Sequence, residues 1–151
     1  MLACISELLY SSILSKKSAK IAALIESCQG KGFDPHYLGY FECFNRQLFY
    51  EAHDVLEELW LTDRKGPKDG FYKGLIQFAG AFVHLQKNRL RPAAALFKLS
   101  RSYLDKYPSP YERLDLAALL RCSEEWNTRL EATDFALNPL TLENAPQLTL
   151  M

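Results

Sequence analysis

A chain of 151 residues that is 48% hydrophobic and 24% charged has the length and composition of one globular domain with its own core. The 18 basic and 18 acidic residues cancel, and no uninterrupted apolar run reaches 18 residues, which argues against a broad basic nucleic-acid surface and a membrane-spanning helix. The four cysteines form no CxxC pair, so they predict reduced, mostly buried thiols in a soluble cytoplasmic protein rather than a zinc ribbon.

Helical periodicity dominates the chain, and no alternating strand pattern is found. Two amphipathic helices are predicted over 2–14 and 17–28, and the first of them lacks the basic start of a secretory signal. Asp34-Pro35 is typical of a helix start, with aspartate as the cap and proline in the first turn. A third helix therefore begins there and is predicted to end near residue 46.

The next two helices are predicted over about 48–62 and 69–88, joined by a short polar turn that favours an antiparallel hairpin. Two more are predicted over about 92–106 and 111–131. The tail from residue 133 has two prolines and no helical period, so we expect it to be extended or partly disordered. The predicted fold is all-α, a compact multi-helix bundle or array around the central hairpin. It comprises one helical domain over 1–132 and a tail over 133–151.

The helix predicted over 48–62 carries one broad apolar arc and a few polar residues at its borders. His53 and Glu57 are one turn apart at one border, beside Trp60 at the end of the arc, so both side chains can point into one groove. Glu51 lies at the other border in the first turn, where a helix favours negative charge. Asp54 is on the opposite side of the wheel and is expected to face water.

The helix predicted over 69–88 is apolar on nearly every side, which is typical of a central helix. A single stripe breaks this pattern, and it contains Lys73, Gln77, Gly80 and His84. Buried without partners, such polar groups would each cost a few kcal/mol, so the stripe must meet polar groups or line a cavity. Counting outward from the turn places His53 near Gly80 and predicts a Glu57–Lys73 ion pair, with Gln77 bridging to His53.

Two segments of the hairpin are similar to a known family. FNRQLFYEAHDVLEELW and the following FYKGLIQFAGAFVHLQ resemble domain of unknown function family 309, whose pattern has an EAHExLExxW-like segment and a GLIQxAxAxxH-like helix. The resemblance covers roughly residues 40–105 and implies a compact all-helical domain without an established activity. By position it marks eight residues: Glu51, His53, Glu57, Trp60, Lys73, Gly74, Gln77 and His84.

The chain departs from the family pattern at three positions. The family has glycine at the positions of Gln47 and Pro92, and it has Gly-Asn where this chain has Asn88-Arg89. All three departures fall at turns or helix starts rather than on the polar stripe. They leave the geometry of those connections open.

Three interpretations of His53 and Glu57 remain open: a buried polar network that joins two helices, a ligand or active site, and a metal site. The spacing of the two residues suits two metal ligands on one helix, but HDVLE does not match the zinc-binding pattern HExxH. A third ligand would have to be Gln77 or His84, which lie apart from the pair. The positive charge of Lys73 nearby also opposes a bound cation. No metal or other cofactor is therefore predicted.

The sequence favours a non-enzymatic module that binds a protein or small-molecule ligand through the groove at His53, Glu57 and Trp60. The proposed binding residues are Glu51, His53, Glu57, Trp60, Lys73, Gln77 and His84. The alternative is a small hydrolytic or nucleic-acid-processing enzyme with His53 as base and Glu57 as its orienting carboxylate. No partner is identified by the sequence, and the oligomeric state stays open.

Overall fold

The computed structural model describes residues 19–151, which contain six helices and, outside them, only isolated β-bridges. The all-α prediction is confirmed for this part of the chain, whereas the helix predicted over 2–14 lies outside the described residues. Residues 19–27 are helical and are called α1. The others are α2 (Pro35–Asn45), α3 (Phe49–Thr62), α4 (Asp69–Gln86), α5 (Leu90–Leu104) and α6 (Leu116–Ala132).

Two capping aspartates set the starts of α2 and α6. Asp34 accepts a hydrogen bond from the His36 backbone N–H at 2.8 Å, which satisfies one of the free donors at the start of α2 and confirms the predicted cap. In α6 the cap is Asp115, which accepts from the Ala118 N–H at 3.0 Å. The start of this helix predicted at Tyr111 is wrong, because a tight turn closed by a Tyr111–Leu114 bridge precedes the cap.

The two turns in which the chain lacks a family glycine keep the backbone conformation that glycine favours. Gln47 follows α2 with φ of 62°, and Asn88 follows α4 with φ of 57°. After each, the next N–H reaches back to the last helical turn: Leu48 donates to the Cys43 carbonyl at 2.9 Å, and Arg89 to the His84 carbonyl at 2.9 Å. Both are left-handed helix ends of the Schellman type. Gln47 and Asn88 therefore both adopt the left-handed conformation that a glycine would favour at these positions.

The core is centred on α4, as its all-round apolar sequence predicts. α4 packs against α3 on one side and α5 on the other, while α2 packs on α3 and α6 on α5. Phe82 of α4 is fully buried, and its ring contacts aromatic rings from α2, α3, α5 and α6. This aromatic cluster joins five helices and fixes the relation of α3 to α4, on which the polar residues lie.

The segment after α6 contains no helix and lies against the ends of earlier helices. The Asn45 side chain accepts from the Leu148 N–H at 2.7 Å and donates to the Leu148 carbonyl at 2.8 Å. Leu148 is 8% exposed, and Asn138 donates to the Leu85 carbonyl at 2.6 Å. The segment thus covers the C-terminal ends of α2 and α4, away from their N-terminal halves.

Two further expectations from composition can be compared with the structure. Cys28 and Cys43 are buried free thiols, and Cys122 is a half-buried free thiol, in agreement with the prediction of mostly buried cysteines. Within residues 19–151, none of the helices combines the length and apolar content needed to cross a membrane.

Candidate functional site

Five of the seven predicted site residues lie on one side of the α3–α4 hairpin. His53, Glu57 and Trp60 come from α3, and Lys73 and Gln77 from α4; this set is called the hairpin face. All five are half-buried, and the side chains of His53, Lys73 and Glu57 are 30%, 33% and 42% exposed. The polar stripe is therefore open to solvent along its length.

The hairpin register predicted from the sequence is confirmed at Gly80. A Cβ atom there would lie 4.0 Å from Cδ2 of His53 and 3.1 Å from Cδ1 of Leu96 in α5. The absence of a side chain at Gly80 lets the imidazole lie against the α4 backbone. His53 is thus held at the border between α3 and α4.

Asp69 organises the end of the hairpin face nearest the turn. It accepts a hydrogen bond from Nε1 of Trp60 at 2.8 Å and pairs with Nζ of Lys73 at 3.2 Å. Burial raises the pKa of Asp69, but the hydrogen bonds from Trp60 and Lys73 outweigh it and lower the pKa below its ordinary value. The carboxylate is therefore charged and holds both neighbours in place.

Lys73 is also in contact with two aromatic rings. Its Nζ lies 5.4 Å from the ring centre of Trp60 and 5.6 Å from that of Tyr103 in α5. Arg64, from the α3–α4 turn, also contacts Trp60: its Cζ lies 4.8 Å from the centre of the Trp60 ring. Cations at these distances are attracted to the ring faces. The network formed by Trp60, Asp69, Lys73 and Tyr103 therefore links three helices.

The predicted Glu57–Lys73 ion pair is wrong. Lys73 pairs with Asp69, which lies one turn before it in the same helix, a spacing at which opposite charges meet without help from tertiary structure. Gln77 forms no side-chain hydrogen bond to His53 or to any other residue in 19–151. Glu57 instead approaches Nδ1 of His53 at 3.5 Å.

A second acidic residue joins the histidine. Oδ1 of Asp54 lies 3.3 Å from Nδ1 of His53, so two carboxylates approach the same ring nitrogen. The helical wheel places Asp54 toward water, yet its side chain is only 21% exposed, because it folds back along the helix toward the imidazole. His53, Asp54 and Glu57 place one nitrogen and two carboxylate oxygens within 4.8 Å of one another.

Glu51 and His84, the two remaining predicted site residues, are not part of the hairpin face. Glu51 is in the first turn of α3, on the side facing α2, where its charge adds to burial in raising the pKa of the Cys43 thiol. His84 is in the last turn of α4, and its Nδ1 is buried with no hydrogen-bond partner among the described residues. Burial, together with the charges of Arg89 and Lys87, lowers the pKa of His84 from its ordinary value of 6.5.

This lowered pKa predicts an acid-sensitive contribution to stability. The unfolded state takes up a proton on His84 near pH 6.5, whereas the folded state resists it, so the contribution is present above pH 6.5 and is lost as the pH falls toward the folded pKa. We expect His84→Gln to reduce the loss of unfolding free energy between about pH 7.5 and pH 5.5, by less than the ~1.4 kcal/mol per pH unit of one full proton. Urea denaturation at several pH values measures it.

The control for this prediction is His36→Gln, since His36 lies between two carboxylates, Asp34 and Glu58, rather than in an unpaired environment. This variant also replaces one histidine by glutamine, so it controls for the substitution itself. Equal pH dependence in the wild type and His84→Gln would contradict the assignment.

The hairpin face extends across two neighbouring helices, and its half-buried polar side chains are open to solvent. Two cavities in the described chain, of about 490 and 130 Å³, are lined by α6 and, for the smaller one, the segment 146–149. None of the residues of the hairpin face lines either cavity. A ligand on this face would meet a shallow surface, with Trp60 and Tyr103 as its aromatic part and Glu57 and Gln77 as its polar part.

The part of the chain that contains this surface is similar to a known protein family. Residues 37–96 match the family described as Domain of unknown function (DUF309). The match confirms the resemblance predicted from the two hairpin segments. The matching residues include α2, α3, α4 and the first half of α5. No match was found among curated proteins or among solved structures.

The DUF309 segment contains the whole hairpin face, but Tyr103 lies beyond it. Asp69 and Asp54 also belong to the site, although neither was predicted as a site residue. A signal existed for Asp69, because it precedes Lys73 by four residues. Neither the position of Tyr103 nor the direction of the Asp54 side chain has a comparable local signal, since both depend on packing between helices.

Proposed function

We propose that this helical domain is a non-catalytic binding module that docks a protein partner through the hairpin face extended by Tyr103. One observation carries the proposal: a half-buried tryptophan on an exposed helical surface is held in place by a hydrogen bond to Asp69 and by two cations near its ring. Trp60 donates to Asp69 at 2.8 Å and lies beneath Lys73 and Arg64. Tryptophan, tyrosine and arginine are the residues that dominate binding energy at protein interfaces.

The rigidity of this arrangement favours recognition. Trp60 and Lys73 share Asp69 as a partner, and Lys73 also contacts the ring of Tyr103. Side chains that are already ordered lose little conformational entropy when a partner binds. A partner therefore meets a preformed aromatic surface, flanked by the polar groups of Glu57 and Gln77.

The shape of the surface favours a macromolecule over a small molecule. Small-molecule sites enclose most of their ligand in a concave pocket, whereas protein interfaces are broad and shallow. Exposed apolar side chains extend the surface at both ends, with Leu61 50% exposed after Trp60 and Leu99 38% exposed one turn before Tyr103. A partner with an apolar centre and hydrogen-bonding groups at its rim suits this pattern.

Site-specific photo-crosslinking in cells tests the proposal. A benzophenone amino acid is placed at Gln77 or at Tyr103, and in a control at Glu124, an exposed residue of α6. We expect the same crosslinked protein from the first two positions and not from the third. Mass spectrometry then identifies it, and the purified partner is titrated against the wild-type chain, with a second copy of this chain included as one candidate.

The affinity of the purified partner decides the outcome. Trp60→Ala and Tyr103→Ala should each weaken binding at least about tenfold, or ~1.4 kcal/mol, whereas Glu124→Ala should not. Circular dichroism verifies that each variant is folded. Unchanged affinity in both aromatic variants, or equal crosslinking from Glu124, would reject docking at this face.

One observation favours the alternative function, a hydrolytic enzyme. The Glu57 carboxylate 3.5 Å from Nδ1 of His53 can orient the imidazole and leave Nε2 to accept a proton from water. No serine, threonine or cysteine hydrogen-bonds to His53 within residues 19–151, so water would have to be the nucleophile. Turnover of model esters or phosphodiesters that His53→Gln abolishes and Trp60→Phe preserves would establish this alternative in place of docking.

A further inference from the structure

We propose that His53, Asp54 and Glu57 form a binding site for a divalent first-row transition metal at the edge of the hairpin face. This proposal does not rest on the docking function, since it requires only groups of α3. Asp54, which the helical wheel places toward water, supplies the third ligand that His53 and Glu57 lack in the sequence-based prediction.

The geometry of the three groups points to a cation. Oδ1 of Asp54 and Oε2 of Glu57 lie 3.3 and 3.5 Å from the same nitrogen, Nδ1 of His53. A neutral imidazole carries at most one proton on Nδ1, so it can donate a good hydrogen bond to only one of the two carboxylates. A metal ion between the three ligand atoms would satisfy both carboxylates and the nitrogen lone pair together.

The electrostatics of α3 favour a bound cation. The helix contains four carboxylates and neither lysine nor arginine: Glu51, Asp54, Glu57 and Glu58. Lys73, which the sequence places as an opposing charge, is paired with Asp69 at 3.2 Å and stacked on the ring of Trp60. The local excess of negative charge at His53 is therefore not cancelled by the neighbouring helix.

His36 provides an internal contrast. It also has two carboxylates at 3.1 Å, but Asp34 contacts Nδ1 and Glu58 contacts Nε2. The two nitrogens lie on different edges of the imidazole ring, so the carboxylates there do not converge on one point. Among the described residues, only the His53 group brings three such ligand atoms within 4.8 Å.

The ligand types indicate the class of metal. Imidazole nitrogen suits zinc, iron, nickel and copper, and carboxylate oxygen suits manganese and magnesium. One nitrogen with two carboxylates therefore selects a transition metal over magnesium or calcium. All three ligands are on one helix and the side chains of His53 and Glu57 are 30% and 42% exposed, so water completes the coordination and the metal exchanges readily.

Titration of the full chain with Mn²⁺ tests the site, because this ion prefers oxygen and nitrogen to the free cysteine thiols. The electron paramagnetic resonance signal of free Mn²⁺ reports bound metal. We expect saturable binding of one ion per chain, weakened at least tenfold in His53→Ala and in Asp54→Asn. Binding should be unchanged in the matched control His36→Ala, and a tenfold excess of Mg²⁺ should not displace the ion.

A second measurement uses only the wild-type protein and so does not depend on how the variants fold. Substoichiometric Mn²⁺ should broaden the imidazole NMR signals of His53 before those of His36 and His84. Simultaneous broadening of all three histidines, or equal binding in His53→Ala, would overturn the proposal. Titration of the purified partner in the presence of EDTA separates the two hypotheses, because docking through Trp60 and Tyr103 requires no metal and its affinity should be unchanged.

Discussion

Phe82→Ala is expected to destabilise the protein by about 4–5 kcal/mol, because it empties the centre of the core. The Phe82 side chain is fully buried in α4. Its ring centre lies 5.1–5.4 Å from five others: Phe44, Phe49, Phe78, Phe97 and Trp126. These rings come from five helices, so their contacts are lost together, and paired aromatic rings add ~0.5–1.5 kcal/mol beyond their burial. Guanidinium denaturation measures the loss.

Two further variants keep this prediction measurable. A loss of 4–5 kcal/mol approaches the total stability of many domains, ~5–15 kcal/mol, so Phe82→Leu is included and should cost less than about 2 kcal/mol. Phe33→Ala is the matched control: Phe33 is half-buried and has one ring neighbour among residues 19–151, Tyr37 at 5.7 Å, so about 1 kcal/mol is expected. A similar loss for Phe82→Ala and Phe33→Ala would show that the aromatic cluster is not the centre of the core.

Gly74→Ala is expected to cost a net ~2 kcal/mol, although alanine is the better helix former by ~1 kcal/mol. A Cβ at Gly74 would lie 2.4 Å from Cγ and 2.5 Å from Cδ2 of Leu104, which is fully buried in α5. Ser100 of α5 donates to the Gly74 carbonyl at 2.7 Å and holds the two backbones close together. The methyl group therefore forces α4 and α5 apart or displaces a buried leucine.

A double-mutant cycle with Leu104→Ala isolates this contact. In the Leu104→Ala background the leucine atoms that would clash with the new Cβ are absent, so Gly74→Ala should become neutral or stabilising by up to about 1 kcal/mol. Gly80→Ala is the matched control, because its Cβ would lie 3.1 Å from Cδ1 of Leu96, a half-buried side chain that can move, and at ordinary contact distance, 4.0 Å, from Cδ2 of His53. An unchanged cost of Gly74→Ala in both backgrounds would show that strain elsewhere is responsible.

Local sequence patterns determined the helices and much of the hairpin. The Asp34 cap, the central position of α4 and the proximity of His53 to Gly80 all follow from capping chemistry, apolar periodicity and a short turn. Each of these depends on interactions within a few residues or on the count of residues across one turn. Such interactions are present in the sequence whatever the rest of the chain does.

Only the tertiary structure decided which polar groups meet. The i, i+4 spacing brings Asp69 to Lys73 within α4, but only the packing of α3 on α4 brings the indole N–H of Trp60 to the same carboxylate. Asp54 turns toward His53, and the crossing of α5 over α4 at Gly74 brings Tyr103 to Lys73. Side-chain direction and helix crossing depend on long-range packing, which no local period encodes. The helices and the i, i+4 pair in α4 could therefore be predicted from the sequence, whereas the side-chain contacts between helices could not.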